Sequence, residues 1–141
     1  MKKGLLSEGA EEAREPIGPS MGIEVRHSPG KGRGVFATRA FSKGELIERA
    51  PVLVVPEDEH EQLVPTVLNS YVFGWGDGVA VCLGFGSIYN HAWQPSVEYL
   101  KNLDGSYIDF VALRDIAPGE ELFVNYASSY PETAYLWADF E

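Results

Sequence analysis

Three short stretches of this chain gather residue types able to hold a ligand or position a reacting atom. In Gly30-Lys31-Gly32-Arg33-Gly34-Val35-Phe36-Ala37, glycines alternate with cationic residues. Glycine permits unusual backbone angles and close main-chain approach, so such a segment lets backbone groups reach a ligand. Taken alone it is equally well a plain β-turn. Read as G-x-G-x-x-A it imitates a dinucleotide fingerprint, but that fingerprint must open a helix. Thr38–Glu48 contains Phe41, Lys43-Gly44 and β-branched residues without helical period, so the dinucleotide reading fails. The second stretch, Leu83 to Ser96, sets Asn90-His91 among Tyr89, Trp93 and Phe85. An adjacent amide and imidazole present several hydrogen-bonding groups in one place, or form a satisfied turn. The third, Pro118 to Tyr126, reads as a turn and then a strand that ends on a half-buried phenol, Tyr126.

The elements that must position these stretches are short and mostly extended. Ile23–His27 alternates apolar and polar residues, the period of a half-buried strand. Ser28–Gly34 reads as a loop, Phe41–Gly44 as a turn and Glu45–Arg49 as a strand. Val52–Val55 is a β-branched run between Pro51 and Pro56, which predicts a sheet edge or a strand end. Acidic Glu57–Glu61 suits a helix N-terminus, with a short helix running towards Leu68. Tyr71–Phe73 and Val79–Leu83 flank a hairpin signalled by Asp77-Gly78. Ser96–Leu100, Tyr107–Leu113 and Glu121–Tyr126 follow, punctuated by Asp104-Gly105 and Pro118-Gly119. Many short strands with little helix predict a mainly β domain.

Composition narrows the functions. A chain of 141 residues makes one domain with its own core. A single cysteine, Cys82, excludes disulfide frameworks and multi-thiolate metal sites, and His27, His60 and His91 lack metal-ligand spacing; no metal site is expected. A net charge of -10 argues against direct binding to nucleic acid and suits basic partners. No apolar run reaches membrane-span length, and residues 1–20 lack a signal-peptide core, so a cytoplasmic protein is expected, without membrane contact. Residues 1–20 read as a flexible leader or an added tail, with a short helix around Leu5–Arg14. The domain is expected over residues 21–141.

In order and spacing, the three stretches together resemble the SET-domain protein lysine methyltransferases. The opening pattern G-x-G-V-F-A stands as Gly32-Arg33-Gly34-Val35-Phe36-Ala37, followed by Phe41-Ser42-Lys43-Gly44-Glu45. The N-H-x-x-x-P pattern stands as Asn90-His91-Ala92-Trp93-Gln94-Pro95. The closing G-E-E-L-x-x-x-Y pattern stands as Gly119-Glu120-Glu121-Leu122-Phe123-Val124-Asn125-Tyr126. The resemblance runs from Gly22 to about Tyr130 and is nearest to minimal SET domains of viral and bacterial type. Ala92 and Ser96 depart from the commoner Ser and Asn, and the zinc-binding post-SET cysteines are absent.

The resemblance implies a mainly β, β-clip-like fold of small sheets, with a threaded (pseudoknot) C-terminal segment and few short helices. It implies transfer of a methyl group from S-adenosyl-L-methionine to a lysine of a basic protein substrate, histone-like proteins included. A non-catalytic SET-like module that binds a peptide or partner protein is the alternative. Tyr126 takes the place of the catalytic tyrosine, and Tyr71 that of a second wall of the lysine channel, with Phe73 or Tyr130 contributing. Lys31, Gly32, Arg33, Gly34, Asn90 and His91 take cofactor-binding places, with Tyr130 a further cofactor-binding candidate; Trp137 has no motif counterpart and either covers the adenine or packs ordinarily at the C-terminal end. Without a zinc lobe, residues 127–141 or a second subunit must complete the pocket, which predicts a homodimer.

Overall fold

The computed structural model describes residues 17–19 and 21–127. The helix expected around Leu5–Arg14, and the candidate residues Tyr130 and Trp137, lie outside the described residues. In chain order the first strands are β1 (Gly18–Pro19), β2 (Ile23–Ser28), β3 (Gly32–Ala37) and β4 (Leu46–Val55). A short helix α1 (Glu57–Leu63) and a 3-10 turn (Val67–Ser70) precede β5 (Phe73–Trp75) and β6 (Gly78–Cys82). The last strands are β7 (Asn90–His91), β8 (Val97–Asn102), β9 (Tyr107–Ala112) and β10 (Glu121–Val124). One sheet has the order β5-β6-β4-β9-β8, with β1 also paired to β4, and the other has the order β2-β3-β10-β7.

The second sheet carries all three sequence motifs. β2 and β3 form a hairpin in register from Ile23↔Ala37 to Ser28↔Gly32. Gly32–Gly34, read from sequence as loop, is therefore strand, and the turn shrinks to Pro29-Gly30-Lys31. The Lys31 N–H closes that turn on the Ser28 carbonyl at 3.0 Å. Gly30 and Gly32 have φ of 78° and 82°, angles that a Cβ resists, so the turn depends on both. β10 pairs antiparallel with β3 on one side and parallel with β7 on the other. The loop after β7 closes over β10: Ala92 and Ser96 donate their N–H groups to the carbonyls of Val124 and Phe123. β10 is thus threaded between β3 and the 90–96 segment.

The first sheet departs from the sequence reading at the prolines. β4 is one unbroken strand of 10 residues, not two, and it lies inside the sheet rather than at its edge. Its pairing with β9 ends at Pro51↔Tyr107 and its pairing with β6 begins at Val52↔Cys82. Pro51 sits where the strand exchanges partners, and its carbonyl accepts the Leu83 N–H at 2.9 Å. A register shift between Leu46 and Glu48 turns both Ile47 and Glu48 inward.

The hairpin at Asp77-Gly78 is present, one residue out of the expected register. Trp75 pairs with Gly78, so Gly76-Asp77 is the two-residue loop, with Gly76 at φ 58°. The acidic helix stops at Leu63, short of Leu68, and buries none of its side chains; its first-turn carboxylates complement the N-terminal dipole. Ile47, Ala50, Ile108 and Phe110 from one sheet share a core with Val35, Ala37, Leu122 and Val124 from the other. Burying each large apolar side chain contributes about 1.5–3 kcal/mol, which fixes the two sheets against each other.

Candidate active site

A cavity of about 580 Å³ opens between the sheets, within the range of about 300–1,000 Å³ that suits a small-molecule site. Its lining is of two kinds. Tyr71, Phe73, Tyr89, Tyr99 and Tyr126 line one part, and Lys31, Ser87 and Asn90 give polar groups elsewhere on its wall.

Tyr126 follows β10 and is held from three sides. Its hydroxyl donates to the Tyr89 carbonyl at 2.9 Å. Its N–H donates to His91 Nδ1 at 3.1 Å, and its carbonyl accepts the Tyr99 hydroxyl at 2.9 Å. Having donated its proton to Tyr89, the Tyr126 hydroxyl can meet a further group only as an acceptor. Burial, with smaller contributions from Tyr71 and Tyr99, pushes its pKa up to about 12. The phenol therefore stays neutral throughout the physiological range. Tyr71, at the end of the 3-10 turn, lines the cavity while remaining half exposed, and Phe73 meets Tyr99 edge-on at 5.3 Å.

Below this aromatic wall lies a buried carboxyl. Glu48 is 1% exposed and accepts the Tyr89 hydroxyl and the Phe85 N–H, each at 2.8 Å. Burial raises its pKa, with these two donors acting against that rise. The Tyr89 ring stacks on Phe110 at 4.5 Å, so the residue whose carbonyl holds Tyr126 is itself anchored in the core.

The polar corner forms where the three motifs meet. Asn90 Nδ2 donates to the Arg33 carbonyl at 2.9 Å and to Glu121 Oε2 at 2.7 Å. Ser28 Oγ donates to Glu121 Oε1 at 2.7 Å. Gly34 sits against this cluster: a Cβ there would fall 2.7 Å from Asn90 Nδ2 and collide with the Glu121 carboxylate. The glycine requirement is steric here, because Gly34 has no left-handed φ.

Of the residues singled out from sequence, Lys31, Asn90, Tyr71, Phe73 and Tyr126 line the cavity together. Gly32, Arg33 and Gly34 form the strand behind Asn90, to which Arg33 contributes its carbonyl. His91 is buried beneath Tyr126 and packs edge-on against Trp93 at 4.4 Å. Its side chain positions Tyr126, and because Nδ1 accepts there, the neutral ring carries its proton on Nε2. Sequence reasoning missed Tyr89, Tyr99, Glu48 and the role of Glu121. Alternation along Val97–Tyr99 would have turned Tyr99 inward, but nothing in the local pattern places Glu48 inside.

The family model of the SET domain matches residues 32–127, and the chain belongs to that family. A Schizosaccharomyces pombe protein named histone-lysine N-methyltransferase, H3 lysine-37 specific, is 37% identical over 121 residues, 84% of this chain and 78% of that protein. A Plasmodium falciparum protein whose crystal structure is titled as a candidate histone methyltransferase matches with a TM-score of 0.67 at 23% identity. That match covers 79% of this chain and 97% of the other, and establishes likeness of fold.

Proposed function

We propose that this protein is an S-adenosyl-L-methionine-dependent protein lysine N-methyltransferase acting on a basic, histone-like protein. The observation that carries the reading is Tyr126. In a SET-family chain, this residue lines the cavity among further aromatic rings, with its hydroxyl proton donated to a main-chain carbonyl.

The donor set fits the cofactor. Asn90 and Lys31 offer polar contacts on the cavity, and main-chain groups of Gly32–Gly34 lie behind Asn90. When bound, S-adenosyl-L-methionine supplies an electrophilic methyl group. Tyr71, Phe73 and Tyr126 provide the walls of a channel for the substrate lysine. A lysine amine with a reference pKa near ~10.4 costs about 4.6 kcal/mol to deprotonate at pH 7. An aromatic channel disfavours the ammonium form by desolvation and so offsets part of that cost. Tyr126 accepts a hydrogen bond from the amine and fixes its direction of approach, and such positioning carries a large share of rate enhancement. Tyr89, His91 and Tyr99 hold Tyr126 in place.

The net charge of -10 steers a basic protein towards the surface. The fission-yeast relative is named for histone H3, which supports the same substrate class here. Incubation with labelled cofactor and a panel of basic proteins, histone H3 included, followed by mass spectrometry, tests the reading. Methylated lysine is expected. Cofactor binding without transfer to any member would overturn the enzymatic reading in favour of a binding module.

A further inference from the structure

We infer that Glu121 is a positioning residue that fixes the amide of Asn90, so that the site presents an oxygen acceptor to a cationic or N–H-bearing group of the cofactor. This rests on the cofactor reading above and deepens it.

The orientation of the Asn90 amide follows from its neighbours. Asn90 Nδ2 meets the Arg33 carbonyl at 2.9 Å and Glu121 Oε2 at 2.7 Å. A carbonyl and a carboxylate only accept, so the end of the amide facing them must be the NH2 group. Both of its hydrogens are then used. Among the described residues Asn90 Oδ1 accepts no hydrogen bond, and Asn90 lines the cavity. The amide atom remaining for a ligand is thus an acceptor. With an uncommitted amide at this place the group could turn over and offer a donor instead, so the chemistry of the corner would be undefined.

Glu121 is placed for this by the fold. On β10 it pairs with Phe36 of β3, while the next-but-one residue, Phe123, pairs with Asn90 of β7. Ser28 Oγ donates to its other oxygen at 2.7 Å, which orients the carboxylate towards Asn90. Gly34 leaves the space in which carboxylate and amide meet. An ammonium group is the ligand group matched to such an acceptor, and the α-ammonium of the amino-acid portion of the cofactor is the one it carries.

The test is a double-mutant cycle read by calorimetry with S-adenosylhomocysteine, alongside 5′-methylthioadenosine, which lacks the amino-acid portion. Glu121→Leu removes the acceptor at similar size and should weaken S-adenosylhomocysteine about tenfold, while affecting 5′-methylthioadenosine much less. Glu121→Gln keeps an oxygen for Asn90 and an NH2 for the Ser28 hydroxyl, and should restore most of the lost affinity. In an Asn90→Ala background, Glu121→Leu should have no further effect. Equal losses in both backgrounds, or equal losses for both ligands, would make Glu121 merely structural and overturn the inference. If Glu121→Leu does not fold, the wild-type protein decides by NMR: the two Asn90 Nδ2 protons should exchange slowly with water, and fast exchange of both would overturn the inference. Failure of the wild type to bind S-adenosylhomocysteine would instead overturn the cofactor reading.

Discussion

The aromatic and polar parts of the cavity are built by different means. The Tyr126 hydroxyl is held by one main-chain carbonyl on a core-anchored neighbour: the Tyr89 carbonyl takes its proton, and Tyr89 is stacked on Phe110. Besides the Arg33 carbonyl, the Asn90 amide is held by a side-chain network in which Ser28, Glu121 and Asn90 depend on one another and Gly34 leaves the room. A support made of backbone and core tolerates loss of a single polar atom. A mutual network does not, because each member removed leaves another unsatisfied. Changes in the aromatic part should therefore act on chemistry with little effect on binding, and changes in the polar corner should act on binding first.

The strongest challenge to that contrast is Gly34→Ala. The added methyl displaces Asn90 or Glu121, and two hydrogen bonds are lost. With the Asn90 acceptor displaced, S-adenosylhomocysteine affinity should fall about tenfold, as for Asn90→Ala, and calorimetry measures it. Overpacking should also lower stability by about 1–3 kcal/mol in urea unfolding. Affinity within a fewfold of wild type would mean that the corner is not built around this glycine.

Tyr89→Phe sharpens the comparison from the other side. It leaves the carbonyl that holds Tyr126 but removes one of the two donors to the buried Glu48 carboxyl. Stability should fall by about 1–3 kcal/mol in urea unfolding, with cofactor affinity unchanged. A large loss of affinity would show that the two parts are not separately supported.

A smaller effect appears only in alkali. The Tyr126 pKa stands at about 12 in the fold, above the reference value of about 10 in the unfolded chain. Its neutral form is favoured on folding, so its contribution to stability is complete below pH about 10 and lost as pH rises towards about 12. Tyr89, raised by burial and by Glu48, acts with the same sign. Melting temperature followed against pH should drop across this window, and Tyr126→Phe should make the drop shallower.

The motif residues were legible in sequence because their types are constrained by tight geometry. Gly34, Asn90, Glu121 and Tyr126 belong to three separated patterns, and β3, β7 and β10 bring the patterns into adjacent strands. Alternation and turn residues also located most strands. What escaped depended on partners distant in sequence. Glu48 looks solvent-facing in Leu46-Ile47-Glu48-Arg49, and only the register shift against β9 turns it inward. Pro51 reads as a strand end, yet a strand that changes partners at that residue accommodates it. Gly32–Gly34 reads as loop by composition, and pairing with β2 makes it strand. The hydrogen bond from Tyr99 to Tyr126 spans 27 residues and has no local signature.

The most direct measurement of the division between the two parts is a paired determination of kcat and cofactor Kd for Tyr126→Phe and Asn90→Ala. Tyr126→Phe should lower kcat by about a hundredfold and leave Kd near the wild-type value, the mark of an interaction made in the transition state. Asn90→Ala should raise Kd about tenfold and keep most of kcat at saturation. Wild-type turnover in Tyr126→Phe, or the same parameter moving in both variants, would contradict the account.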